Sequence, residues 1–217
     1  MRDIWDETYD AVLFDNDGTL TDSRAAVERS WLAWADHHGI DRAALLGFHG
    51  VPSSSIVRAL APHLDVVAAT ADIDRRELED TKGIVALPGA VDALLAVGER
   101  TAIVTSATLD LAVLRLEAAG LVAPELVITA DDISRGKPDP EPFLVAAARL
   151  GVEPARCLVV EDAPAGLRSG RAAGAATLAV TTTSTVQELE PVADAVVTDL
   201  SAVHFDRTSA GIRVRRR

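Results

Sequence analysis

Cysteine, methionine and tyrosine occur once each in 217 residues, and aromatic residues make up only 4%. A single thiol, Cys157, allows no intrachain disulfide, which excludes a disulfide-stapled secreted scaffold and suits a reducing compartment. Cys157 opens the apolar run Cys157-Leu158-Val159-Val160 and reads as a buried strand thiol rather than a nucleophile. With few rings, packing falls to Ala, Val and Leu, yet hydrophobic residues total 48%, too many for a disordered chain. No apolar run approaches the ~20 residues of a membrane helix. The N-terminus, Met1-Arg2-Asp3-Ile4-Trp5-Asp6-Glu7, is acidic and lacks the apolar stretch of a secretory signal. A cytoplasmic protein with no membrane partner is therefore expected. Basic residues are outnumbered by acidic ones, 21 to 33, and the net charge of −12 argues against a nucleic-acid partner. The one basic cluster, Arg213-Val214-Arg215-Arg216-Arg217, is expected to be a solvated, poorly ordered terminus.

Against these scarcities stands a recurrence of short apolar runs. They lie at 11–14, 101–105, 126–129, 157–160, 176–180 and 195–197, with helical segments between them. Strands alternating with helices predict an α/β fold, a Rossmann-like parallel sheet with helices on both faces. Leu109, Ala112, Val113 and Leu116 lie at i, i+3, i+4, i+7 and predict a helix that stops at Gly120. A second helix is expected over about 141–150, ended by Gly151, and Ser184 with Gln187 has capping-box spacing at the start of a late one. Between about 21 and 84 the alternation stops and no strand is evident. Val27, Trp31, Trp34 and His38 share one helical face there, and 54–60 and 73–78 read as helices. The expected organisation is a core of 1–20 and 85–217 with an inserted small helical cap domain at 21–84. The tryptophans are expected to pack that insert. His37 and His38 are neighbours and are expected to point apart, which disfavours a metal site.

Asp15-Asn16-Asp17-Gly18-Thr19-Leu20 follows the apolar run Ala11-Val12-Leu13-Phe14, so two carboxylates sit where a buried strand meets a loop. That carboxyl edge is where open α/β sheets bind ligands. Like charges placed together repel unless a cation or proton intervenes, and Mg²⁺ suits hard oxygen ligands. Thr105, Lys137 and the pair Glu161-Asp162 are each expected at another strand end on the same edge. A hydroxyl, an ammonium and two acidic pairs make a site for a dianionic group beside a metal, which points to phosphate. Asp15 would attack phosphorus, while Asp17 protonates the leaving oxygen and later takes a proton from water. Each feature has a plainer reading. The Asp-x-Asp-Gly stretch fits a turn, or a calcium loop whose later acidic positions Leu20 and Thr21 do not provide. Thr105 fits a strand end, Lys137 a surface lysine, and Glu161-Asp162 a helix start. Their coincidence at four strand ends favours the site.

These residues resemble the haloacid dehalogenase-like hydrolases over nearly the whole chain. Asp15 to Leu20 is similar to the first motif of that family and Val104-Thr105-Ser106 to the second. Gly136-Lys137-Pro138-Asp139-Pro140-Glu141-Pro142-Phe143 resembles the third, and Val160-Glu161-Asp162-Ala163-Pro164-Ala165-Gly166 the fourth. The resemblance implies a nucleophile at Asp15 and an acid/base at Asp17. It implies Mg²⁺ on the Asp15 carboxylate, the Asp17 backbone carbonyl and Asp162, with Glu161 in support, and phosphate held by Thr105, Ser106 and Lys137. Asn16 departs from the pattern, an apolar residue being common there. Residues 26–31 and 83–90 and the pair His49-Gly50 resemble the sugar and polyol phosphatases, which implies a small phosphomonoester substrate, with His49 and Gly50 touching it, and a protein that works as a monomer. A β-phosphoglucomutase-type isomerase is the alternative. A carbon–halogen hydrolase is disfavoured by Asp17, Glu161 and Asp162, and an idle binding module by the intact motifs.

Overall fold

The computed structural model describes residues 2–45 and 51–217. Six parallel strands form its centre: β1 (Ala11–Phe14), β4 (Thr101–Val104), β5 (Leu126–Ile128), β6 (Cys157–Glu161), β7 (Ala176–Val180) and β8 (Ala195–Val197). The labels β2 (Thr21–Asp22) and β3 (Val85–Ala86) belong to a separate two-stranded ribbon. Spatial order in the large sheet is β5-β4-β1-β6-β7-β8. This is the α/β architecture expected, with every strand within a residue of its apolar run. β1 is buried at all four positions, as a strand covered on both faces must be.

The two faces have separate cores. Leu13, Ala102, Val104 and Val159 pack against Phe143 and Ala146 of helix α6 (Glu141–Leu150), which ends at left-handed Gly151. On the other side Phe14, Ile103, Leu158 and Val160 meet α4 (Ala90–Val97) and Leu116 of α5 (Leu109–Ala118). The buried face of α5 is Leu111, Ala112, Arg115 and Leu116, whereas Leu109 is exposed. The predicted helix is present with Ala112 and Leu116 buried as expected, but Leu111 and Arg115 complete its inner face in place of Leu109 and Val113.

The basic terminus corrects another expectation. Residues 211–216 form β10 (Gly211–Arg216), antiparallel to β9 (Val203–Thr208). Ile212 and Val214 are fully buried beside Phe14 while Arg213 and Arg215 face out, the period of two proper to a strand with one covered face. The Arg216 guanidinium lies over the Trp5 ring. The late helix, α8 (Val186–Leu189), follows α7 (Pro164–Ala172) and β7, and its capping box is Thr185 with Glu188, one residue beyond the pair expected.

Between β2 and β3 run α1 (Arg24–His38), α2 (Ser53–Leu60) and α3 (Val66–Glu79). They bury their own apolar cluster of Trp31, Trp34, Ile56, Val57 and Ile73. The Trp34 indole donates to the Ala69 carbonyl at 2.9 Å. Thr21 and Asp22, expected to belong to a strandless stretch, pair with Ala86 and Val85 instead. His37 and His38 come together rather than apart, their ring centroids 4.8 Å from each other and both within reach of Asp72. The Asp72 carboxylate is already engaged by Arg75 and Arg76 at 2.7 and 2.9 Å. Among the described residues no helix is long and apolar enough to cross a membrane.

Candidate active site

Strand order decides which side chains meet. β1 is central, with β4 and β6 as neighbours, so the residues that follow these strands emerge side by side. Asp15 continues the ladder through its N–H to the Val160 carbonyl at 2.9 Å, and Thr105 does so to the Ile128 carbonyl at 2.9 Å. Glu161 is the last residue of β6, and Asp162 follows it. Lys137 comes from the longer loop between β5 and α6 rather than from a strand end.

The Lys137 ammonium is buried and donates to Asp15 Oδ1 at 2.5 Å, Glu161 Oε1 at 2.7 Å and the Val104 carbonyl at 2.8 Å. Its hydrogens are thus committed to protein acceptors, so Lys137 first orients Asp15. The other Glu161 oxygen, Oε2, accepts from the Asp162 and Ala163 N–H groups at 3.0 Å each. Gly166 lets this happen: a Cβ there would strike the Glu161 carboxylate. Asp162 accepts from Thr19 Oγ1 at 3.3 Å and from the Thr183 hydroxyl. Gly18, at φ +86°, has no room for a Cβ beside Asp162, and its carbonyl accepts from the Thr182 hydroxyl. Asn16 is fully buried, and its Nδ2 has no hydrogen-bond partner among the described residues.

Asp15, Glu161 and Asp162 form a buried cluster whose carboxylate oxygens approach closely enough to share a metal ion. Burial lifts Asp15 well above the ordinary carboxylate range; Lys137 opposes this, and Glu161 and Asp162 add to it. Asp162 is pushed up to about 7, by burial and then by Glu161. Burial works against the Lys137 ammonium, but Asp15 and Glu161 carry its pKa above the usual lysine value. Three buried carboxylates face one ammonium. The surplus negative charge and the hard oxygen donors fit a divalent cation.

The Asp17 carboxylate lies outside that cluster. Its Oδ1 accepts from Ser23 Oγ at 2.6 Å and its Oδ2 from Arg115 Nη1 at 2.9 Å. Arg115 also donates to Glu77 of α3 at 3.1 Å. Asp15, Asp17, Thr105, Ser106 and Asp162 line one cavity of about 530 Å³, with Trp31, Ser53 and Asp74 of the insert on the facing wall. His49 and Gly50 lie outside the described residues. Sequence reasoning missed Arg115, Ser23 and the hydroxyls of Thr182 and Thr183. The last two had a signal, the run Thr181-Thr182-Thr183 directly after an apolar strand on the same sheet edge.

Comparison with known proteins bears on family and fold. The chain is 43% identical over 207 residues to hexitol phosphatase A of Escherichia coli (strain K12), covering 92% of this chain and 95% of that protein. A solved hydrolase from Pseudomonas syringae superposes with a TM-score of 0.80 at 28% identity, over 88% of this chain and 94% of that one. A β-phosphoglucomutase from Clostridium difficile shares the fold, with a TM-score of 0.79 at 22% identity, over 89% of this chain and 92% of its own. The haloacid dehalogenase-like hydrolase profile matches residues 9–174, which carry the acidic cluster, Lys137 and the insert, and the chain belongs to that family.

Proposed function

We propose that this chain is a Mg²⁺-dependent phosphatase of small phosphorylated sugars or polyols that works through an aspartyl-phosphate. The observation that carries the reading is the single cavity in which Asp15, Asp17, Thr105 and Asp162 meet beneath a helical insert. Similarity to hexitol phosphatase A supports the substrate class. The working division is a core of 1–20 and 85–217 under a cap of 21–84.

The Asp15 and Asp162 carboxylates and the Asp17 carbonyl would hold Mg²⁺, which would supply the charge neutralisation that lets a carboxylate approach a phosphate dianion. Thr105 and Ser106 bind the phosphoryl oxygens. Lys137 fixes Asp15 Oδ1, so the attack on phosphorus is assigned to Oδ2. As that bond forms, the bond from phosphorus to the substrate alcohol breaks, and Asp17 gives its proton to the departing oxygen. Asp17 then takes a proton from water, whose oxygen attacks phosphorus and breaks the bond to Asp15, releasing inorganic phosphate. The apolar and polar wall from the insert excludes bulk water and orients the alcohol. His49 and Gly50 are assigned to substrate hydroxyls on resemblance alone.

The test is a panel of hexose, hexitol, pentose and glycerol phosphates with Mg²⁺, run on the native chain and on Asp15→Asn. Expected are release of inorganic phosphate by the native chain, loss of turnover in the variant, and unchanged circular dichroism. A variant that keeps the native rate overturns the assignment. An isomerised hexose phosphate in place of free phosphate selects the mutase.

A further inference from the structure

Arg115 sits where a helix ordinarily places leucine. It lies on the buried face of core helix α5 and is only 6% exposed. Nη1 donates to Asp17 Oδ2 at 2.9 Å, and Nη2 donates to Glu77 Oε1 at 3.1 Å. Glu77 is itself 8% exposed and belongs to α3 of the insert. One guanidinium therefore spans the junction between insert and core with a carboxylate at each end. The second handle on Asp17, the Ser23 hydroxyl, directly precedes α1 of the same insert. Both Asp17 oxygens are thus held by groups that belong to the insert or are tied to it.

Stability alone is a poor reason for such a bridge. Burying an arginine between two carboxylates costs desolvation energy that well-packed apolar residues would not incur. The rigid planar fork does supply orientation, fixing two carboxylates at a set angle in a way a lysine cannot. We propose that Arg115 is a positioning residue which, through Glu77, makes the orientation of the Asp17 carboxylate depend on the seating of helix α3 against the core. The proposal rests on the reading of Asp17 as general acid.

Its consequence depends on the leaving group. A hexitol alkoxide needs a proton as it departs, so a misaligned Asp17 slows its release. A p-nitrophenolate departs as a stable anion and does not need that proton. The experiment measures kcat and kcat/KM for a hexitol phosphate and kcat/KM for p-nitrophenyl phosphate with saturating Mg²⁺. The proteins are the native chain, Arg115→Met, Arg115→Lys, Glu77→Gln and the double variant Arg115→Met/Glu77→Gln. Arg115→Met is expected to lose roughly 10² in hexitol phosphate kcat and kcat/KM alike, with less than about a threefold loss on the aryl ester. Arg115→Lys and Glu77→Gln fall between the native chain and Arg115→Met. The double variant is no worse than Arg115→Met, because both changes cut one link.

Both esters are assayed on one sample, so any unfolded fraction cancels in their ratio. The double variant leaves neither partner of the Arg115–Glu77 pair uncompensated, should Arg115→Met fail to fold. An unchanged ratio in the double variant would mean that Arg115 is structural only and would overturn the proposal alone. A loss confined to KM for the hexitol phosphate would overturn it too, by making Arg115 a substrate-binding group. A native chain that cleaves neither ester overturns the phosphatase reading and takes this proposal with it.

Discussion

A buried ammonium that gives its hydrogens to Asp15, Glu161 and the Val104 carbonyl leaves the Asp15 carboxylate little freedom to rotate. Removing it leaves two buried carboxylates without their cation. Lys137→Met is therefore expected to lower unfolding stability by about 3–5 kcal/mol, the cost typical of breaking a buried ion pair from one side. Urea unfolding at pH 7 in the presence of a chelator reads this directly, and a loss below about 1 kcal/mol would contradict the role given to Lys137. The lysine was legible in the sequence because Gly136 and Pro138 shape its loop and because its motif has company. Arg115 was not legible. Periodicity counts apolar positions, and on that count a charge at 115 reads as solvent-facing. The partners that make its burial tolerable, Asp17 and Glu77, are 98 and 38 residues away in sequence.

Among elements, β10 shows how charge can mask pattern. Its period of two is present in the sequence, but four arginines in the last five residues speak for solvation. What decides is that Ile212 and Val214 are both fully buried against the core and that Tyr9 pairs with Ile212 across the ends of the chain. Ile212→Ala should cost about 2–5 kcal/mol, the range for truncating a buried aliphatic side chain. A shift in the urea midpoint at constant slope would report it, and a frayed tail would show no shift at all. The six core strands were legible because a strand covered on both faces must be apolar throughout. The displaced capping box marks the opposite limit. Ser184 with Gln187 and Thr185 with Glu188 fit the same spacing, and only the backbone entering α8 selects the second.

At the scale of the whole molecule, the junction between insert and core sets a pH dependence. Burial lifts the Glu77 carboxyl from 4.5 to about 7; Arg115 opposes this, and Asp17 and Asp74 add to it. Below pH 4.5 folded and unfolded chains both hold the proton, and the contribution of Glu77 to stability is complete. As the pH climbs, the unfolded chain releases its proton first, so that contribution fades and is gone above about 7. Glu77→Gln should remove this decline. Relative to the variant, the native chain is expected to lose at most about 3 kcal/mol between these limits, read from urea melts of both proteins across the interval. A difference that stays flat with pH would refute it. The ribbon of Thr21–Asp22 against Val85–Ala86 has a consequence of its own. Departure and return lie on adjacent rungs, so α1 to α3 hang from the sheet as a cassette with two neighbouring splice points. A transplanted cassette would have to bring its own counterparts of Ser23 and Glu77, the groups that reach Asp17 directly and through Arg115.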